Sequence, residues 1–231
     1  MIYITGDKHR RFGRLMEFCE LAEPIREDVL IILGDAGINY FGTEKDVALK
    51  RQLSELPIAL FCVHGNHEMR PETIANYQEM QWRGGTVYAE PEFPSLLFAK
   101  DGEVYEFAGR RCIVIGGAYS VDKPFRLANG LEWWANEQPS EETKQKVERR
   151  LNQENWKIDV VLSHTSPQKY IPREKFLAGV EQSTVDYSTE VWLDSIEERL
   201  IYDRWYCGHY HTRKVIDNMC FLFEDYLEFI R

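Results

Sequence analysis

Residues with metal-binding side chains recur along the chain, each time directly after a short apolar run. Most of these clusters contain a glycine, which lets the backbone turn sharply and bring the next side chain inward. Five of the six histidines lie in them. The clusters are Gly6-Asp7-Lys8-His9, Gly34-Asp35, Gly65-Asn66-His67-Glu68, Ser163-His164 and Gly208-His209-Tyr210-His211.

The side chains in these clusters have the chemistry of a transition-metal site. Carboxylates and imidazoles are the oxygen and nitrogen donors that suit Mn, Fe, Zn or Ni. A carboxylate can bridge two ions, and two ions roughly 3.5–4 Å apart can hold a hydroxide and clamp a phosphate. The Asp7-x-His9 and His209-x-His211 pairs would each place two donors near one ion.

Each motif is a weak signal when it stands alone. Gly-Asp and Gly-Asn are ordinary turn dipeptides, and short motifs often match by chance. A structural zinc site is a further alternative, but such sites are rich in closely spaced cysteines, and the five cysteines here are dispersed. The occurrence of all the clusters together, in order and after apolar runs, favours a metal site.

The apolar runs before the clusters are predicted to be buried strands, because ligands of α/β sheets gather beyond the carboxyl ends of strands. These strands cover residues 2–5, 29–33, 58–63, 159–162 and 204–207. Amphipathic helices are predicted at residues 12–21, 44–56, 141–152 and 190–200.

Further strands are predicted in the middle and near the end of the chain. They cover residues 95–98, 104–107, 111–115, 213–216 and 220–223. Asp101-Gly102 is predicted to be a hairpin turn. Helices flank the strand runs in both halves, which indicates an α/β protein with two packed sheets covered by helices. The length favours a single domain, residues 1–231.

Composition limits the classes of partner. The formal net charge is −10, which does not favour binding of nucleic acid through its phosphates. The apolar runs are too short to span a bilayer, so no membrane partner is expected. The chain begins on a strand-like run without a signal peptide, and its odd number of dispersed cysteines suggests a reducing compartment. We therefore expect a cytoplasmic protein.

Taken together, the five clusters resemble the signature of the calcineurin-like metallophosphoesterase superfamily, as found in its small bacterial and phage members. The clusters span residues 6 to 211, nearly the whole chain. The resemblance implies a four-layer αββα sandwich with two mixed β-sheets flanked by helices. It also implies a dinuclear metal site at the rim, with Mn as the expected metal and Fe, Zn or Ni as alternatives.

The resemblance further implies a role for each site residue. Asp7, His9 and His211 would hold one metal, Asp35 would bridge, and the second metal would be held by Asn66, His164 and His209. Asp35 and Asn66 would thereby belong to the catalytic centre. His67 would not be a ligand. It would touch the phosphate and protonate or stabilise the leaving oxygen.

The chain departs from the family pattern at two places. Many relatives have glycine after the Asp-x-His cluster, where this chain has Arg10 and Arg11, which we interpret as a solvated helix start. Relatives that act on phosphoproteins have an acidic residue soon after the bridging aspartate. None follows Asp35 here, so the partner of His67 stays open. His64, just before the third cluster, is predicted to pack in the interior or to support a ligand residue, and not to bind a metal itself.

The segment from Gly116 to Glu137 resembles one found in small bacterial and phage members of the superfamily. Lys123 and Arg126 are candidate substrate-binding residues, because they lie three apart and one helical turn would put both on one face. Trp133 and Trp134 would either wall the cleft or anchor the segment on the core.

The sequence therefore predicts an enzyme that hydrolyses phosphoric esters with the help of metal ions. The expected substrate is a small phosphomonoester or phosphodiester, attacked by a hydroxide that bridges the metals. One alternative is a nuclease acting on nucleic-acid ends, which would need a basic track beside the site. A weaker alternative is a non-catalytic binding scaffold, which should have lost ligands. The choice between monoester and diester, the native metal and the oligomeric state stay open.

Overall fold

The first of two β-sheets has seven strands and carries the N-terminal half of the predicted clusters. We describe a computed structural model that covers residues 1–229, so the last two residues of the predicted 1–231 domain lie outside the described residues. The strands are β1 (Ile2–Thr5), β2 (Val29–Ile32), β3 (Ala59–Cys62), β4 (Gln78–Trp82), β5 (Gly85–Ala89), β6 (Leu96–Ala99) and β13 (Leu227–Glu228).

The order of strands in this sheet is β13-β1-β2-β3-β6-β5-β4. Strands β1, β2, β3 and β6 are parallel, whereas β13, β5 and β4 pair antiparallel. The polar residues that follow β1, β2 and β3 therefore all emerge at the same edge of the sheet.

The second sheet has six strands and carries the C-terminal clusters. Its order is β11-β12-β10-β9-β8-β7, with the four central strands parallel and the outer two antiparallel. The strands are β7 (Val104–Phe107), β8 (Arg110–Ile115), β9 (Val160–Ser163), β10 (Arg204–Cys207), β11 (Lys214–Ile216) and β12 (Met219–Phe221).

Five α-helices occur within residues 1–229, and four of them cover the outer faces of the sheets. They are α1 (Gly13–Ala22), α2 (Glu44–Ser54), α3 (Lys123–Ala128), α4 (Glu141–Gln153) and α5 (Ser188–Glu197). Side chains of α1 and α2 pack on the first sheet, and side chains of α4 and α5 pack on the second. The short helix α3 lies in the connection between β8 and α4.

Strand β2 shows why these apolar runs form inner strands. Ile31 faces the core between the two sheets, whereas Leu30 and Ile32 face the layer of α1 and α2. Successive side chains of a strand point to opposite faces, so a strand buried on both faces needs a continuous apolar run. The middle core joins Ile31 to Val114 and Leu162 of the second sheet. The predicted four-layer αββα sandwich with two mixed sheets is thereby confirmed.

Two local features differ from the sequence-based expectation. Asp101-Gly102 is not a hairpin turn, because β6 belongs to the first sheet and β7 to the second. The Asp101 carboxylate instead accepts a hydrogen bond from the Gly116 N–H (2.6 Å), and so ties this crossover to the end of β8. The β4–β5 hairpin was not predicted, since β4 is mostly exposed and polar and gives no apolar alternation.

None of the described helices combines the length and the apolar character that a membrane crossing requires.

Candidate metal centre

The two sheets bring all the predicted ligand residues together at one end of the sandwich. Four come from loops after strands of the first sheet and three from loops after β9 and β10 of the second. They are Asp7 and His9 after β1, Asp35 after β2, Asn66 after β3, His164 after β9, and His209 and His211 after β10.

The glycines beside these residues are required by close packing across the sheets. A Cβ atom on Gly208 would lie 2.2 Å from the Asp7 Oδ1 atom, and one on Gly65 would lie 2.0 Å from the Asp35 Oδ1 atom. Any larger residue would therefore displace a carboxylate of the centre. The tight turns also leave Asp35 itself at φ 47°, a left-handed conformation that non-glycine residues adopt at a cost and that clusters at functional sites.

The first donor group consists of Asp7, His9 and His211, whose ligand atoms lie within 4.8 Å of one another. The Asp7 Oδ2 atom is 3.2 Å from His211 Nε2 and 3.7 Å from His9 Nε2. This oxygen is buried and has no hydrogen-bond partner among residues 1–229. Asp7 is held in place through its other oxygen, which accepts the His209 N–H (2.9 Å).

The second donor group contains Asp35, Asn66 and His164. The Asp35 Oδ2 atom lies 3.7 Å from His164 Nε2, and Asn66 Oδ1 lies 2.8 Å from the same nitrogen. The ring of His209 is in edge contact with that of His164, at 5.0 Å between centroids. Asp7, Asp35 and His164 also have ligand atoms within 4.8 Å of one another, so the two groups are contiguous.

The hydrogen bonds of His164 and Asn66 leave acceptor atoms facing each other. His164 Nδ1 must carry a hydrogen because it contacts the Leu33 carbonyl oxygen (2.8 Å), which can only accept. The Asn66 amide nitrogen donates to Ser120 Oγ (2.9 Å), which turns the amide oxygen towards His164. In the neutral ring, the Nε2 lone pair then faces the amide oxygen and the Asp35 carboxylate. Such an arrangement of lone pairs fits a cation.

The protonation states of His9 and His209 also fit metal ligands, whereas the neighbouring Asp7 carboxylate raises the pKa of His211. Burial lowers the pKa of His9 to about 4. Burial, and then the charge of a protonated His164, lowers the pKa of His209 to about 3. Both rings are therefore neutral near pH 7, which is the form that binds metals. Burial, and then the charge of Asp7, raises the pKa of Asp35 well above its usual value. Two buried carboxylates that repel each other favour a positive charge between them, so the residues present fit a metal pair.

His67 lies beside the donor groups, where its backbone N–H donates to Asp35 Oδ1 (2.7 Å) and its ring lies near the Asp122 carboxylate. The distance from His67 Nε2 to Asp122 Oδ1 is 3.8 Å. This oxygen is buried and lacks a hydrogen-bond partner in the described part of the chain, while Asp122 Oδ2 accepts from Arg126 Nε (2.8 Å). Burial, and then the charge of Arg126, lowers the pKa of His67 to about 2. The distance of 3.8 Å is too long for a hydrogen bond, so Asp122 as the partner of His67 stays a prediction.

The candidate substrate-binding residues Lys123 and Arg126 lie in α3, on the side of the centre. Arg126 is mostly buried, and its Nη1 donates to Tyr40 Oη (3.0 Å) and to the Glu132 carbonyl oxygen (3.1 Å). Lys123 Nζ lies 4.0 Å from the centre of the Trp133 ring. Both cations therefore already have protein partners, and their binding of substrate stays a prediction.

The tryptophans of the same segment have anchoring contacts. Trp133 Nε1 donates to Glu137 Oε2 (2.7 Å), and the Trp134 ring meets the Tyr40 ring edge-on at 5.4 Å. These contacts favour the interpretation in which the tryptophans fix the segment on the protein.

Two supporting carboxylates were not predicted. Glu137 accepts a hydrogen bond from the same Ser120 hydroxyl that holds the Asn66 amide. Glu68 is fully buried and accepts the N–H groups of Gly37 (3.0 Å) and Gly65 (3.1 Å), so it ties the loops after β2 and β3 together. Glu68 is the last residue of the third cluster, a signal that the sequence did offer.

The two remaining sequence-based interpretations have different outcomes. Arg10 is not a solvated helix start, because its Nη1 forms an ion pair with Asp46 of α2 (2.6 Å) and also donates to the Gly37 carbonyl oxygen (2.7 Å). His64 is buried as predicted, and neither ring nitrogen has a hydrogen-bond partner within residues 1–229.

Comparison with known proteins supports the resemblance. A solved crystal structure matches with a TM-score of 0.51 at 14% sequence identity, over 96% of this chain and 88% of the other, which shows a shared fold. A protein of unknown function from Aquifex aeolicus is 16% identical over 71% of this chain and 80% of its own, with a TM-score of 0.34 that is too low for any argument. Comparison with curated proteins gives no significant match.

The family model described as calcineurin-like phosphoesterase matches residues 1–213, which include every cluster of the centre. The chain therefore belongs to the calcineurin-like phosphoesterases, a family of metal-dependent phosphoester hydrolases.

Proposed function

We propose that the chain is a dinuclear metal-dependent phosphoesterase that hydrolyses a phosphomonoester or a small phosphodiester. The observation that carries this proposal is the position of Asp35 between the donor groups. Its Oδ2 atom lies 3.8 Å from His9 Nδ1 of the first group and 3.7 Å from His164 Nε2 of the second. A single carboxylate within reach of both groups suits a shared ligand of two ions.

The chain would hold the two ions with separate sets of residues. Asp7, His9 and His211 would bind one ion, Asn66, His164 and His209 would bind the other, and Asp35 would bind both. We propose Mn as the metal, with Fe, Zn or Ni as alternatives, because imidazole and oxygen donors suit all of them. When bound, the ions would supply Lewis-acid polarisation of the phosphoryl group and activation of the water nucleophile.

The protein's own side chains would handle the leaving group. Hydrolysis forms a bond between phosphorus and the water oxygen and breaks the bond to the ester oxygen, which must gain a proton. His67 would supply the hydrogen bond or the proton to this oxygen. Burial and the charge of Arg126 lower the pKa of His67 to about 2, so the neutral ring would donate a hydrogen bond to this oxygen. The Asp122 carboxylate, 3.8 Å from His67 Nε2, would be the nearby group that opposes this lowering. Ser120 and Glu137 would keep the Asn66 amide oxygen directed into the centre.

The charge of the cavity on the Asn66 and His67 side of the centre suits a small substrate better than a nucleic acid. The cavity beside the centre is lined by one basic residue, Lys175, and by the carboxylates of Asp35, Asp122 and Glu190, among the residues that the structure describes. A nuclease would need a basic track along which the backbone could lie. A non-catalytic scaffold is disfavoured because all the predicted donor residues are present at the centre.

An activity panel with Mn tests the proposal. The purified protein is first stripped of metal with a chelator and then reloaded with Mn, Zn, Fe or Ni. Hydrolysis of phosphomonoesters, bis-aryl phosphodiesters and nucleotides is followed by phosphate and alcohol release. We expect turnover that chelation abolishes and that reloading restores. Binding of two ions without turnover of any ester would contradict the proposal and favour the scaffold.

A further inference from the structure

A cavity of about 320 Å³ opens directly beside the metal centre. Its volume falls in the range of small-molecule sites, roughly 300–1,000 Å³. One side is formed by residues of the centre, among them Asn66, His67 and His209. A phosphoester whose phosphorus lies at the centre would therefore place its organic part in this space.

The opposite side of the cavity is apolar. It is built by the 175–187 segment, which precedes α5, together with residues that follow β8. Neither stretch contains any of the metal-binding clusters. The apolar side chains that line the wall are Tyr119, Val121, Phe176, Leu177, Val180 and Val185.

The apolar side chains of this wall are only partly covered by the protein. Leu177 is 61% exposed, and Phe176, Val180 and Val185 are half-buried. Apolar groups that face a cavity gain free energy when a ligand removes them from water. The wall therefore favours an apolar organic group over a sugar or a glycerol chain.

Aromatic rings on two parts of the wall narrow the ligand further. Tyr119 follows β8, whereas Phe176 and Tyr187 belong to the 175–187 segment. Aromatic side chains contribute more than their buried area when a second ring packs against them in an offset or edge-on arrangement. A planar ring in the ligand would gain this additional binding free energy.

The charged residues in the cavity exclude a chain of phosphates there. Lys175 is the single basic residue among the described residues that line it, and Glu190 is a buried acid in the same lining. A second or third phosphate group would meet these carboxylates with Lys175 as its one compensating lysine. The cavity thus suits one phosphate, at the centre, and an uncharged group beyond it.

We infer that the substrate is a small phosphoester whose alcohol part carries an aromatic ring, and that the wall formed by the 175–187 segment and the residues after β8 binds this ring. The inference rests on the proposed function, because it assigns the organic side of the same substrate. The ring is either a simple aryl group or the base of a nucleotide.

Two pairs of substrates test the inference. Within each pair, the leaving alcohols have similar pKa values. Benzyl phosphate is compared with ethyl phosphate, and adenosine 5′-monophosphate with ribose 5-phosphate. Burial of one ring should raise kcat/KM roughly tenfold or more for at least one ring-bearing member over its partner. The first pair reports a simple aromatic ring and the second reports a base. Equal kcat/KM within both pairs would overturn the inference while leaving the phosphoesterase function intact.

A matched pair of variants locates the effect in the wall. Leu177→Asp should lower the preference for the ring-bearing ester at least threefold, because it places a charge where the ring packs. Leu21→Asp makes the same change at an 87% exposed leucine of α1 that does not line the cavity, and should leave the preference unchanged. An unchanged preference in Leu177→Asp would show that the ring binds elsewhere.

Binding measurements separate this inference from the proposed function. Benzylphosphonate and ethylphosphonate, which cannot be hydrolysed at the ester position, are titrated into the Mn-loaded protein by calorimetry. If no ester is hydrolysed but benzylphosphonate binds roughly tenfold tighter, the proposed function is wrong and the ring-binding wall stands. Equal affinity of the two phosphonates would refute binding of a simple aryl ring, and equal kcat/KM of adenosine 5′-monophosphate and ribose 5-phosphate in addition would refute the wall.

Discussion

The Oδ2 atom of Asp35 lies 3.7 Å from Nε2 of His164, across the boundary between the two sheets. Asp35 follows β2 of the first sheet, and His164 follows β9 of the second. The Gly34-Asp35 turn and the Ser163-His164 turn are therefore parts of one centre, and the sharing of Asp35 between donor groups depends on how the sheets pack.

Removal of the Asp35 carboxylate should disturb both ions. Asp35→Ala is expected to bind at most one ion per chain, weakly, because the lost carboxylate is within reach of both donor groups. Elemental analysis after gel filtration measures the metal content. Asp203→Ala, which removes a 62% exposed carboxylate on the surface, is the control and should keep two ions. Two tightly bound ions in Asp35→Ala would rule out the bridging role.

The Ser120 hydroxyl should affect metal affinity although it is not a ligand. It accepts from the Asn66 amide and donates to Glu137, so Ser120→Ala frees the amide to rotate. Loss of such a supporting contact typically weakens metal binding 10–100-fold. Competition with a fluorescent chelator measures the affinity, and Ser195→Ala, whose hydroxyl donates to a carbonyl within α5, serves as the control. Equal affinities in both variants would mean that Asn66 does not need this support.

His67 should act on chemistry and not on metal binding. His67→Ala is expected to keep both ions and to lower kcat by roughly 10²–10⁴, the usual contribution of a positioned acid–base group. The loss should shrink for aryl esters whose leaving groups have a low pKa, since these need little protonation. Loss of metal in this variant would instead make His67 a ligand, and an equal loss on every ester would indicate a phosphate-binding role.

Arg126 should influence turnover, either by contact with the phosphate or through Asp122. Arg126→Ala is expected to lower kcat/KM about tenfold, or about 1.4 kcal/mol, without changing the metal content. Arg126→Lys should restore only part of this, because lysine lacks the planar fork that reaches Asp122 and Tyr40. Measurement of kcat/KM for Asp122→Asn and for the double variant, which carries both Arg126→Ala and Asp122→Asn, distinguishes contact with the phosphate from action through Asp122. If Arg126 acts through Asp122, its removal has no further effect once Asp122 is replaced.

Glu190 should make the stability of the metal-free protein depend on pH. Burial raises the pKa of this carboxyl from 4.5 to about 7, against the opposing hydrogen bond from Thr165. The folded protein thus holds the proton more tightly than the unfolded chain, and stability falls as the pH rises from 4.5 to about 7. Glu190→Gln removes this titration. The Tm difference between Glu190→Gln and the wild type should therefore be small at pH 5 and favour the variant at pH 8.

Thermal unfolding of the chelator-treated proteins at both pH values measures this difference. Every other titrating group is present in both proteins, so its contribution cancels in the comparison. A Tm difference that does not change between pH 5 and pH 8 would show that Glu190 keeps an ordinary pKa.

The clusters and the two packed sheets were predictable because the same local pattern encodes both, whereas the four-layer order and the ligand roles were implied by the family resemblance. Asp7 and Asp35 each follow a run whose residues are buried on both faces of a sheet, and such runs are recognisable without knowing their neighbours. The parallel direction of the strands then brings their ends to one edge. Proximity at the centre is thus a consequence of the pattern.

Asp122 and the 175–187 segment could not be assigned in the same way. Asp122 lies near His67 because the connection after β8 runs beside the centre. No local sequence pattern encodes the 3.8 Å distance between the two side chains. The side chains of Phe176 and Leu177 stand in irregular structure, where apolar residues have no period that would reveal what they face. The Asp101-Gly102 turn was misassigned because a Gly turn looks alike whether the next strand joins the same sheet or the other.

The hydrogen bond from His164 Nδ1 to the Leu33 carbonyl oxygen joins two residues that lie far apart in the chain. This separation determines when the centre can form during synthesis. The first half of the chain supplies Asp7, His9, Asp35 and Asn66, whereas His164, His209 and His211 come from the second. A growing chain on the ribosome therefore carries only half of the centre until residue 211 has emerged and the second sheet has docked. Metal uptake would then require synthesis past residue 211 and docking of the two sheets, so a chain truncated before His211 would hold less metal than a longer one.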